Sequence, residues 1–175
     1  MDQTVKVAMS GTNTEIVFLG CGTSIGVPVI GCDCEVCTSD DPKNKRLRAS
    51  ILLRSPKGTI VVDTGPDFRQ QCLREAVTHL DAAIFTHCHT DHIMGFDDLR
   101  RFTVGKEARL NIHANRETLD RLKNAFEYAF SGENHYYGYL KPVPHEIDGP
   151  FEVCGWEITP LPVTHGKVKT IGFHF

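Results

Sequence analysis

The chain has 175 residues, 41% of them apolar and 23% charged, with 15 Gly, 9 Pro and a formal charge of −3. That balance excludes a disordered or collagen-like chain and fits one globular domain with a sizeable core. It gives no general reason to expect nucleic-acid or membrane binding. What stands out is 7 Cys and 9 His.

The first twenty residues carry one Lys and two acids. They lack the basic start and apolar run of a secretory signal, and no stretch nears the ~18 apolar residues of a membrane span. The expected location is cytoplasmic, where thiols stay reduced. An odd cysteine count also excludes complete intramolecular pairing. Cys21, Cys72 and Cys154 stand alone in apolar surroundings and read as buried, inert thiols.

Residues 1–13 read as a loose N-terminal tail before a domain at 14–175. A strand is predicted at 15–19, then a long Gly-, Pro- and Cys-rich loop to about residue 46. Residues 49–53 and 59–62, around a turn at 55–58, form a hairpin. Asp67 is the predicted N-cap of a helix at 68–77, with Phe68, Cys72, Leu73 and Ala76 on one face. Next come a buried strand at 82–85, a helix at 94–102, a strand at 109–113 and a helix at 116–129. Strands at 143–147, 151–153, 156–161 and 169–175 close the chain. This order predicts an α/β layered domain, a sheet packed under helices.

The chemistry concentrates in His87-Cys88-His89-Thr90-Asp91-His92, at the end of the 82–86 strand. His87 and His89 are two apart and point the same way in an extended segment. Asp91 and His92 follow at the turn and address a neighbouring point. Three imidazoles and a carboxylate in so short a run exceed what one first-row ion with an open position takes, so the spacing favours two adjacent metals. Cys32, Cys34 and Cys37 form a C-x-C-x-x-C run of soft donors suited to a tetrahedral zinc that needs one more ligand. The alternative is a reduced, unoccupied loop. The Gly/Ser/Thr loop after Leu19 is either a turn or a cradle of backbone N–H groups for phosphate.

His87-x-His89-x-Asp91-His92, with Asp63-Thr-Gly65 upstream and Pro162-Val-Thr-His165-Gly downstream, resembles the metallo-β-lactamase superfamily. The resemblance implies an αββα sandwich with a binuclear site along one edge of its two sheets. By motif, His87, His89 and His165 would ligate the first metal, and Asp91 and His92 the second. Asp63 would fix the histidine loop by hydrogen bonds, a role compatible with capping the strand-end turn. Phe18-Leu-Gly-Cys-Gly-Thr-Ser-Ile-Gly-Val-Pro28 resembles the phosphodiesterase branch, which includes transfer-RNA 3′-processing endonucleases and cyclic phosphodiesterases. The cysteine run and Asp63-Thr-Gly-Pro-Asp-Phe-Arg69 are similar to the phosphoribosyl 1,2-cyclic phosphate phosphodiesterase-like subfamily. There, three Cys and a distant His hold a structural zinc. The implied cofactors are two divalent ions, manganese or zinc, in the active site and one structural zinc at Cys32, Cys34 and Cys37.

The family pattern then expects an Asp bridging both metals and a final His. The last Asp is Asp148, ahead of His165, and His174 reads as a strand residue. The expectation is therefore that the C-terminal portion of the sandwich is missing from these residues. On that reading the chain alone holds at most one metal tightly and has little activity.

In the complete enzyme, a metal-bound hydroxide would cleave a small cyclic phosphate or nucleotide-like phosphodiester, with Asp91 orienting the nucleophile. Alternatives are a transfer-RNA 3′-processing-type endonuclease, a thioester or lactam hydrolase, and a non-catalytic metal-binding remnant. The expected partner is a small phosphorylated substrate, with no membrane; nucleic acid is disfavoured because basic residues are not clustered. Homodimerisation is left open. His113, His135 and His145 are candidate general acids by residue type alone, and Tyr136 and Tyr137 are candidates for a loop over the site.

Overall fold

A computed structural model describes residues 5–8, 13–104, 109–132 and 136–175. Seven strands form the larger sheet in chain order: β1 (Lys6–Ala8), β2 (Glu15–Gly20), β3 (Ser50–Ser55), β4 (Gly58–Val62), β5 (Ala82–Ile84), β6 (Leu110–Ala114) and β7 (Pro142–Glu146). The first four pair antiparallel, whereas β4 to β7 run parallel. The smaller sheet is antiparallel, with β9 (Trp156–His165) between β8 (Phe151–Val153) and β10 (Val168–His174).

Period-two alternation sorts the strand residues into two cores. Leu52, Val61, Ala83 and Ile112 face a helical layer with Phe68, Phe96, Leu99, Leu119 and Leu122. Leu53, Ile60, Val62, Ala82 and Ile84 face the smaller sheet, with Trp156 and Ile158. Central strands covered on both faces need apolar side chains at every position, as Ile60-Val61-Val62 and Ala82-Ala83-Ile84 supply. The result is a mixed α/β arrangement in which the larger sheet is covered by helices on one face and by the smaller sheet on the other.

Helix α1 (Glu35–Thr38) lies in the loop after β2 and buries no side chain. The helical layer contains α2 (Phe68–Arg74), α3 (Thr90–Ile93), α4 (Arg116–Ala125) and α5 (Glu127–Phe130), plus a 3-10 segment at Phe96–Phe102. No described helix is long and apolar enough to cross a membrane. Because β4, β5 and β6 are parallel, their C-terminal ends lie at one edge. Asp63, Thr86-His87 and Asn115 all leave the sheet there.

Several local expectations change. The predicted tail contributes β1, whose Lys6–Ala8 pairs with 15–17 of β2 and whose Lys6 reaches Glu75 at 3.6 Å. Asp67 sits at the predicted cap position but does not cap with its side chain. Its carboxylate accepts from the Arg48 backbone N–H at 2.8 Å and from the Arg48 guanidinium at 2.9 Å. Helix α2 ends at Arg74, so Leu73 stays 65% exposed and Ala76 turns left-handed at φ 49°. The helix predicted at 94–102 is a 3-10 segment that starts at Phe96, and Gly95 at its cap packs directly on the Gly65 carbonyl, where a Cβ would come within 2.2 Å. The 116–129 helix breaks at Phe126, whose φ is −126° and ψ 44°. Cys21 is exposed rather than buried, because β2 slips register between Phe18 and Gly20 as it enters the loop. Cys72 and Cys154 are half-buried, and burial pushes the Cys72 thiol up to about 12, so it stays protonated.

Candidate metal centre

The site begins at the end of β4. Asp63 is buried and adopts a left-handed φ of 62°, which turns its carboxylate back toward β5. There Oδ1 accepts the Thr86 backbone N–H at 2.9 Å, and Oδ2 accepts the Thr86 hydroxyl at 2.7 Å. The same Oδ2 lies 2.7 Å from His92 Nδ1. One carboxylate thus binds both ends of the histidine loop. Two backbone bonds close it further: Thr64 N–H to the His92 carbonyl and Gly95 N–H to the Thr64 carbonyl, each 2.8 Å.

Within that frame, His87 Nδ1 is 2.9 Å from the Thr86 hydroxyl. Since that hydroxyl donates to Asp63, the consistent tautomer has His87 donating from Nδ1 and presenting the lone pair of Nε2. His87 Nε2 lies 3.1 Å from His89 Nδ1, which in turn lies 3.2 Å from His165 Nε2. One ligand nitrogen from each of the three residues falls within 4.8 Å of the others. Two nitrogens at zinc–imidazole distance from a common tetrahedral centre stand about 3.3–3.4 Å apart. The three imidazoles fit a divalent ion on that geometry.

Electrostatics separates the histidines. Burial pushes His87 down to about 4, helped by the neighbouring His92, so it is neutral and available as a donor. Burial also acts to lower His92, but the Asp63 and Asp91 carboxylates reverse the sign and raise it. Asp91 Oδ2 lies 3.1 Å from His92 Nε2, so these two side chains meet beside the three-histidine group. His165 arrives from the end of β9, and the Ile171 N–H of β10 donates to the Thr86 carbonyl at 3.0 Å.

Cys32, Cys34 and Cys37 gather separately, with their sulfurs also within 4.8 Å of one another. They sit on and before α1, in the loop between β2 and β3. The Val29 N–H donates to Cys37 Sγ at 3.4 Å. Backbone and thiol hydrogen bonds around Cys37 and Cys32 lower Cys34 to about 7, which favours a thiolate. Among the described residues the group has three donors.

The remaining candidates fall elsewhere. His113 and His145 stack 4.6 Å apart across β6 and β7, and Phe151 stacks on His113 at 5.1 Å. Burial, then His145, lowers His113 to about 4, which leaves it a poor proton donor near neutrality. His135 lies outside the described residues. Tyr136 and Tyr137 are exposed and lead into the start of β7, the opposite end of the parallel strands from His87, so they do not cover this site. Sequence reasoning passed over Thr86, whose hydroxyl links Asp63 to His87. A hydroxyl directly before the first histidine was the available signal.

The beta-lactamase superfamily domain profile matches residues 58–175, from β4 through β10. The chain belongs to that superfamily. Within it, this chain is of the PhnP-like type. A solved structure described as a new diphosphatase from the PhnP family is 38% identical, with a TM-score of 0.83 over 93% of this chain and 62% of that one. Zn(2+)-bound PqqB from Methylobacterium extorquens, at 19% identity and TM-score 0.66, covers 91% of this chain and 58% of that one and shares the fold. In sequence, an octanoyltransferase of Porphyromonas gingivalis is 40% identical over 160 residues, which is 90% of this chain and 32% of that protein. The chain therefore spans about a third of that curated relative and less than two thirds of these solved superfamily members. The superfamily fold implies divalent metal ions, in keeping with the convergent histidines.

Proposed function

We propose that the protein is a metal-dependent hydrolase of small phosphodiesters, with a cyclic phosphate or a nucleotide-like diester as its substrate class. The observation that supports a metal-dependent hydrolase acting at phosphorus is the 38% identity to the PhnP-family diphosphatase across 93% of the chain, in a protein whose three imidazoles converge within 4.8 Å. The diester class rests on the resemblance of Phe18–Pro28 and Asp63–Arg69 to the phosphodiesterase branch.

His87, His89 and His165 would hold one ion, and Asp91 with His92 would serve a second. Zinc or manganese suits that mixed set, and zinc suits the thiolates of Cys32, Cys34 and Cys37. Bound there, divalent cations supply acidified water and neutralise phosphate charge. The chain's own residues do the rest. Asp63 holds the loop so that His87, His89 and His92 keep their orientation through the reaction. The Thr86 hydroxyl fixes the tautomer of His87. Asp91 would orient the attacking water and accept its proton on the carboxylate. The expected substrate is a small, soluble phosphorylated molecule met in the cytoplasm.

The test is turnover by the full-length protein, supplied with manganese or zinc, of bis(4-nitrophenyl) phosphate, a thioester and a transfer-RNA precursor. Hydrolysis of the diester well above the other two supports the reading. Preference for the thioester or the transfer RNA overturns the substrate class, and turnover of none favours a metal-binding remnant.

A further inference from the structure

We propose that Lys167 is the cation that holds a non-bridging phosphate oxygen of the substrate beside the three-histidine group. This rests on the phosphodiester reading and names the residue that meets the substrate's charge.

Position comes first. His165 pairs with Val168 across the β9–β10 hairpin, so Gly166 and Lys167 are its two-residue turn. Gly166 is left-handed at φ 59° and Lys167 is not, the φ pattern of a tight hairpin turn with Gly in first place. Two residues of chain keep the Lys167 Cα within roughly 7.6 Å of the His165 Cα. The four-carbon stem of lysine spans a comparable distance.

The turn is also held in place. Asn115 Nδ2 donates to the Lys169 carbonyl at 2.8 Å, and the Lys169 N–H points to Glu117 Oε2 at 3.4 Å. His165 itself packs edge-on to His87 and His89, with ring centroids 5.1 and 4.9 Å away. The hairpin tip is thus tied both to the N-terminal end of α4 and to the histidines.

Charge completes the case. The carboxylates beside the histidines, Asp63 and Asp91, repel an anionic substrate. The nearby arginines are committed: Arg48 to Asp67 and the Ser24 carbonyl, Arg116 to Glu146. Among the described residues Lys167 has no ion-pair partner and is exposed. A phosphodiester carries one negative charge on its non-bridging oxygens, and a flexible ammonium serves it as a point charge. The contact is electrostatic and transfers no proton.

The experiment uses the full-length, metal-loaded protein and two readouts. Inorganic phosphate is titrated against thermal unfolding, and KM and kcat are measured for bis(4-nitrophenyl) phosphate and for neutral 4-nitrophenyl acetate. Lys167→Gln is expected to weaken phosphate binding and raise the diester KM by about tenfold, the loss of one charge-assisted hydrogen bond. Lys167→Arg should recover most of that loss, and the neutral ester should respond less than twofold. Lys169→Gln removes a neighbouring charge and should change either readout less than twofold. Phosphate affinity unchanged in Lys167→Gln, or an equal loss in Lys169→Gln, overturns the assignment. Failure of the diester to turn over, with phosphate binding still dependent on Lys167, would instead overturn the substrate class alone.

Discussion

The histidine and cysteine groups each bring three donors within the same 4.8 Å, yet they are built differently. The histidines leave the ends of buried strands, and Asp63, Thr86, Thr64 and Gly95 fix them through hydrogen bonds that involve no ion. The cysteines sit in a loop whose neck is closed by the mutual backbone bonds of Val27 and Arg46, and among the described residues the hydrogen bond to a sulfur from outside the group comes from the Val29 N–H. A site on strand ends is shaped before it binds. A site on a loop gets much of its shape from what it binds.

The largest way to break that contrast is at Asp63. Asp63→Ala leaves the Thr86 N–H and His92 without their acceptor. It should lower metal affinity and activity by about 10–100-fold and cost about 1–3 kcal/mol of stability. Metal content after dialysis and urea denaturation measure the two effects, and wild-type metal retention in this variant would show that the site is not pre-shaped.

Acidity probes the same end of the sheet. His113 sits near 4 when folded, against an ordinary value near 6.5. Between those values the unfolded chain takes up the proton and the folded chain resists it. Stability attributable to this residue is therefore full above about pH 6.5 and falls as the pH drops toward 4. Allowing for its partial exposure, the loss is on the order of 2 kcal/mol. His113→Phe, which keeps a flat ring between His145 and Phe151, should flatten this part of the pH–stability curve; an unchanged slope would place the titration elsewhere.

Removing the cysteines sharpens the contrast from the other side. Cys34→Ser should reduce bound zinc by one equivalent and speed amide exchange in residues 28–45, with a global stability change below about 1 kcal/mol. Exchange that accelerates through β3 and β4 as well would mean that the loop supports the core. An effect confined to stability, with metal content unchanged, is expected for Asn115→Ala, which removes the cap that accepts from the Thr118 N–H at 2.8 Å. It should cost about 1 kcal/mol by thermal unfolding.

The strands were legible in the sequence where both faces are apolar, as at 59–62 and 82–85, because a doubly covered strand has no polar positions. The convergence of His87 and His89 was legible from their spacing, because donors two residues apart share a side. Less legible were features set by distant partners. Asp67 looked like a cap, but Arg48, nineteen residues earlier, takes its carboxylate. The predicted 94–102 helix starts only at Phe96, after Gly95 has packed on the Gly65 carbonyl thirty residues away, a contact that periodicity does not encode. The edge strand β1 pairs along the free row of hydrogen-bonding groups that β2 offers, a partner its own short sequence does not announce.

His165 lies 76 residues beyond His89 and reaches it from the smaller sheet, whereas His87 and His89 are neighbours on the larger one. An ion bound by all three therefore acts as a thermodynamic fastener between the two sheets. Above its dissociation constant, each tenfold rise in free ion adds about 1.4 kcal/mol to the docked form. With an ion so bound, the metal supply would set how firmly the two sheets stay together as well as whether the site is armed.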